Sequence, residues 1–146
     1  MSKKKKISHC LCWLNHGTYP GYTMFIYNYS YDFVVKYLKK IKGRDWLIAI
    51  KNDPDIFKSD QWLAKKIVFE NTRTGKKKNF YIIRIPRKFR FDDWDYCALA
   101  HEITHLCQFF LPDILDRNKE IEAEAYFHTH IMGQCLKNMR YKQVTN

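Results

Sequence analysis

Residues 100–108 read AHEITHLCQ: two histidines four apart, with a glutamate directly after the first. On an α-helix that spacing is one turn, so His101 and His105 project from one face. Such a pair suits two ligands of a single tetrahedral zinc. Glu102, beside the first ligand, reaches toward the open coordination position, where it can act as general base for a zinc-activated water. The surrounding run is apolar, and two histidines and a glutamate left there without a partner would cost desolvation energy. Ala98, one turn before His101, keeps the same face uncrowded. Two histidines do not complete a zinc site, so the chain has to supply a third ligand elsewhere.

The next polar segment, residues 118–130 (NKEIEAEAYFHTH), offers Glu120, Glu122, Glu124, His128 and His130. Read as a helix, Glu122, Ala125, Tyr126 and Thr129 share one face, while Glu124, His128 and Ile131 share another. The small Ala125, one turn after Glu122, would let two helices approach closely. Glu120 falls at the helix start, where the dipole already favours a carboxylate, and capping accounts for it.

Moving outward from the motif, Asp92 reads as an N-cap with Asp95 at the third helical position, a capping box with Asp in place of Glu. The motif helix is expected from about Asp93 to Leu111, stopped by Pro112, and a second from about Asn118 to Met139 with Gly133 inside it. Upstream, residues 66–72 and 79–86 read as two strands joined by a basic hairpin tip containing Gly75. Pro86 ends the second of these or marks it as an edge. Residues 46–50 (WLIAI) read as a buried strand, residues 52–55 as a loop, and residues 59–66 as either a short helix or an extended segment. Tyr19, Pro20, Gly21 and Tyr22 fit a type II turn leading into a strand over residues 23–29. Ser30 is an N-cap for a helix with Val34, Leu38 and Ile41 at helical spacing, and Gly43 is its C-terminal stop. Strand, helix, strands and then two helices make an α+β pattern.

The chain of 146 residues is 46% hydrophobic and 16% aromatic, enough for one domain with a substantial core. Residues 1–8 are expected as a basic flexible tail and residues 9–146 as the single domain. A net charge of +11 favours nucleic acid or an acidic protein as partner, or is simply a solvated surface. Residues 84–90 (RIPRKFR) concentrate that charge and are either solvated or touch acidic substrates or phosphates. The tyrosines between Tyr19 and Tyr37 are expected in core and rim rather than as a base-stacking platform. Five cysteines, Cys10, Cys12, Cys97, Cys107 and Cys135, are an odd set that reads as reduced thiols, with Cys10 and Cys12 in strand alternation. The basic start has no apolar run after it, and no stretch is long enough to span a membrane, so a cytoplasmic location is expected.

His101-Glu102-x-x-His105, a short loop, then Glu122-Ala123-Glu124-Ala125-Tyr126 resembles the gluzincin class of zinc metallopeptidases. It is most similar to the small single-domain HExxH proteins of bacteriophages, over about residues 94 to 135. The resemblance implies a minimal zincin-like domain: a small mixed sheet with an N-terminal helix, the HExxH helix, and a second, ligand-bearing C-terminal helix. It further implies that Glu122 is the third zinc ligand and that a downstream Tyr126, or else His128, steadies the oxyanion. Residues 79–86 would be the substrate-binding edge strand. No third histidine follows His105 at metzincin spacing. Proteases acting on DNA-bound proteins use a third histidine, which here would be His128 or His130. The implied activity is hydrolysis of a protein or peptide substrate with zinc as cofactor, in the host cytoplasm for a phage-encoded chain. The alternative is a basic binding or assembly protein with a structural or vestigial metal.

Overall fold

The computed structural model describes residues 3–42, 61–70, 73–113 and 121–144. The stop at Gly43, the strand at 46–50, the loop at 52–55, and Asn118 and Glu120 at the second helix start lie outside the described residues.

The elements run β1 (Lys3–Lys6), β2 (Cys10–Asn15), β3 (Tyr22–Tyr27), α1 (Tyr31–Lys42), β4 (Leu63–Glu70), β5 (Lys77–Ile85), α2 (Asp93–Phe110), a 3-10 turn (Leu111–Asp113), α3 (Ile121–Met139) and β6 (Tyr141–Val144). Four strands form a mixed sheet in the order β2-β3-β5-β4. β3 and β5 are parallel, and β2 and β4 run antiparallel to their neighbours. The α+β class therefore holds, and the described residues include three α-helices beside this sheet.

Side chains alternate across the sheet and split the core in two. Phe25, Tyr27 and Ile83 face α2 and α3, where Leu99, Ile103, Leu106, Phe127 and Ile131 meet them. Met24, Ile26 and Ile82 face the other way, toward Val34 of α1. The turn before β3 is shaped by Gly21, whose φ of 99° is open to glycine at no steric cost. Ser30 caps α1, its Oγ accepting from the Phe33 amide.

Three expectations change. Residues 79–86 are not an edge: β5 pairs with β3 on one side and β4 on the other. Tyr81 to Ile85 are buried without interruption, as a strand covered on both faces requires, and Pro86 stands just beyond the ladder. Among the described residues the edges are β2 and β4, and the segment 59–66, read as helix or extended, enters β4 as extended chain from Leu63. Lys3–Lys6 is not a free tail, because the C-terminal β6 gives its backbone an antiparallel partner.

The third change concerns residues 84–90. Arg84 is buried, and one of its Nη atoms donates to the Tyr29 carbonyl. Arg87 grips the buried Asp95 with both Nη atoms, at 2.9 and 2.7 Å. Arg90 adds a guanidinium contact at 3.0 Å and a backbone N–H at 2.7 Å. The Arg87 and Arg90 guanidiniums hold the chain's own acid while their side chains remain 45% and 57% exposed. Asp92 does cap α2, its carboxylate accepting from the Asp95 amide at 2.9 Å. The return half of the capping box is replaced by the arginine grip, which fixes the start of α2 to the loop before it. The Phe89 amide, donating to the Tyr27 hydroxyl at 2.9 Å, ties that loop to the sheet.

Candidate metal centre

α2 buries Asp95, Leu99, Ile103, Leu106, Cys107 and Phe110 along one stripe. At about 100° per residue, His101 and His105 fall on the opposite side, His101 exposed and His105 half-buried. Their Nε2 atoms converge to 3.0 Å, with the rings nearly perpendicular at 89°. Two nitrogens bound to one tetrahedral zinc lie roughly 3.3 Å apart, given metal–nitrogen bonds of about 2.0–2.1 Å. A few tenths of an ångström of opening brings this pair to that spacing, so the two donors fit a zinc ion.

The orientation of His105 also fits. Its Nδ1 lies 3.1 Å from Gln108 Oε1, leaving Nε2 as the atom directed at His101. Phe109 stacks on the His105 ring, with planes 18° apart. Gln108 is a neighbour of His105 that the motif does not announce. Its signal in the sequence is the amide three residues after a ligating histidine, within reach on the same helix. Glu102 is half-buried on the turn that joins the two histidines.

α3 reaches α2 on a neighbouring flank. The His128 Nε2 lies 3.2 Å from the Ala100 carbonyl and 3.4 Å from Thr104 Oγ1. Phe127 stacks on Phe110 at 4.9 Å. Glu122, Ala125, Tyr126 and Thr129 do share a face, but it is exposed. Phe127, Ile131, Cys135 and Met139 are fully buried, and this sets the rotation of α3. The structure thus brings His128 against the motif helix and leaves Glu122, the expected third ligand, on the outer side. Among the described residues, no group of three or more His, Cys, Asp or Glu gathers into a metal-holding cluster.

Tyr126 is 54% exposed, so it is no buried ring, and it lies parallel to His130 at 6.2 Å. The His130 Nε2 in turn meets Asn15 Oδ1 at 2.9 Å. The structure groups Tyr126 with the end of β2 instead of with Glu102. His16, not singled out by the sequence, is buried among Phe110, Phe127 and Tyr81, with Nδ1 3.0 Å from the Pro20 carbonyl and Nε2 2.7 Å from Thr23 Oγ1. Burial pushes its pKa down, and both nitrogens are engaged, so its role is to fix the β2–β3 turn behind α2 and α3.

The five cysteines are free thiols. No helix of the described residues is long and apolar enough to cross a membrane. Comparison with protein-family models, with curated proteins and with solved structures finds no match.

Proposed function

We propose that the chain is a zinc-dependent metallopeptidase on a minimal zincin-like domain, working in a reducing cytoplasm. The observation that carries this reading is the convergence of the His101 and His105 Nε2 atoms at 3.0 Å on one face of α2. His101 and His105 hold the metal, and Glu122 is the carboxylate that the resemblance assigns as third ligand. A zinc ion bound there supplies Lewis acidity toward water and toward the substrate carbonyl. Glu102 takes a proton from the attacking water and delivers it to the amine nitrogen as the C–N bond breaks.

A peptide substrate would lie along β4 instead of β5. Among the described residues β4 forms one margin of the four-stranded sheet, the place where an extended chain would add by backbone pairing. α2, which bears the histidines, contacts β4 directly.

The test is metal analysis and hydrolysis of an unstructured protein substrate by the wild type and by Glu102→Gln. The expected result is close to one zinc per chain in both and hydrolysis only in the wild type. Zinc bound with no hydrolysis by the wild type would favour a basic binding or assembly protein with a structural metal. Hydrolysis by Glu102→Gln at the wild-type rate would remove the general-base role.

A further inference from the structure

Cys10 and Cys12 lie two positions apart on β2, so both point to the same side of the sheet. Their cross-strand partners are Tyr27 and Phe25, and Phe25 and Tyr27 belong to the core under α2 and α3. Both thiols are half-buried against that core, in which Cys135 of α3 is fully buried. α3 is clamped to β2 one residue before Cys135. The Asn15 amide donates to Gln134 Oε1 at 3.3 Å, and Gln134 Nε2 donates to the Asn15 carbonyl at 2.7 Å. The pair thus sits between one margin of the described sheet and α3, whereas His101 and His105 lie on the side of α2 opposite its buried stripe.

The two β2 thiols are hydrogen-bonded to each other. That bond draws the Cys10 pKa down and pushes the Cys12 pKa up. Cys10 is therefore the sulfur that gives up its proton, and Cys12 keeps its own and donates it to the thiolate. Cys135 interacts electrostatically with both, and burial keeps it a neutral thiol. One proton is held between two sulfurs at a half-exposed place.

Strand geometry decides what can replace that proton. Residues two apart on a strand are separated by roughly 6.4–6.8 Å, and their Cβ atoms, projecting side by side, keep about that spacing. A disulfide needs Cβ atoms about 3.5–4.5 Å apart, so the pair cannot close one while β2 stays extended. A bridging ion is less demanding, since two metal–sulfur bonds of about 2.3 Å span up to about 4.6 Å between the sulfurs. Zinc in a structural site takes four ligands, and two thiols do not supply them. Soft thiolates with few ligands suit Cu(I).

We propose that Cys10 and Cys12 form a second metal site, one that holds a soft monovalent cation of the Cu(I) type between two thiolates. The cation takes the place of the shared proton. Two metal–sulfur bonds form, the remaining S–H bond breaks, the proton passes to water, and no electron is transferred. This site is independent of the peptidase reading, because it uses neither histidine of the motif.

The test is anaerobic titration of the reduced full chain with Cu(I) against a chromophoric Cu(I) chelator. The wild type is expected to retain close to one Cu(I) per chain, and excess Zn(II) should not displace it. Cys10→Ser and Cys12→Ser should each surrender the ion to the chelator. His101→Ala and Cys97→Ser, which alter the motif helix and its exposed thiol, should keep it. Copper X-ray absorption on the wild type, which needs no folded variant, should show sulfur neighbours alone. The proposal is overturned by wild-type protein that yields all its Cu(I) to the chelator, by retention in either serine variant, by nitrogen neighbours in the absorption spectrum, or by loss of the ion in His101→Ala.

Discussion

The Nδ1 atom of His105 sits 3.1 Å from the Oε1 atom of Gln108, one turn further along α2. A hydrogen on Nδ1, donated to this oxygen, would leave the Nε2 lone pair on the side where His101 converges. Removing it frees the imidazole to rotate and to place its hydrogen on Nε2. We therefore expect Gln108→Ala to weaken zinc binding about tenfold, within the range found for partners of ligating histidines. A competition titration against a chromophoric chelator measures this. Unchanged affinity would make the Gln108 contact incidental. The position is solvent-exposed, so thermal stability should hardly move.

Asp95 connects the start of α2 to the loop that precedes it. It is buried, while the side chains of Arg87 and Arg90 are 45% and 57% exposed. Asp95→Ala removes the acceptor for both guanidiniums. The expected loss is about 3 kcal/mol, the lower end for breaking a buried pair, because the arginines regain water. Urea unfolding of the variant gives the value, and a loss under about 1 kcal/mol would contradict the buried-pair account.

The pH dependence follows from two depressed groups. The Arg87 hydrogen bond holds the Asp95 carboxyl far below the usual carboxylate range. Its contribution is therefore complete above the unfolded value of 3.8 and is lost as pH falls below it. Burial lowers the pKa of His16 beneath 6.5. Its contribution is present above 6.5 and declines as pH falls toward the folded value, because the unfolded chain takes up the proton first. Wild-type stability should thus drop between about pH 7 and 5, and His16→Gln should be less stable at pH 7 but flatter across that window. A wild-type and a variant curve of equal slope would assign the acid sensitivity to other groups.

Much of this arrangement is legible in the sequence because it is local. The Asp92 cap, the 3.6-residue burial of α2, the Ser30 cap and the β4–β5 hairpin each follow from residues close in the chain. The failures are non-local. That β5 is interior depends on β3, more than fifty residues earlier, lying beside it in parallel. That Arg87 and Arg90 are tied to α2 depends on where Asp95 is buried. The rotation of α3 is likewise decided by Phe127, Ile131 and Cys135 seeking the core, a preference stronger than any spacing of carboxylates.

That rotation bears on the third ligand. His128 is committed to the Ala100 carbonyl and Thr104, and Glu124 has an interaction of its own. Glu122 is exposed in the first turn of α3, so its carboxylate can swing without breaking core packing. A zinc held by two imidazoles alone lacks the third protein ligand usual in catalytic sites. We expect Glu122→Ala to weaken zinc affinity by more than tenfold, with the fold intact because the side chain is exposed. Glu124→Ala and His128→Ala should remain within a few-fold of the wild type. Chelator competition across the three variants decides among them. Wild-type affinity in Glu122→Ala, together with a large loss in Glu124→Ala or His128→Ala, would move the third ligand to the flank of α3 that faces Ala100 and would refute the assignment drawn from the resemblance.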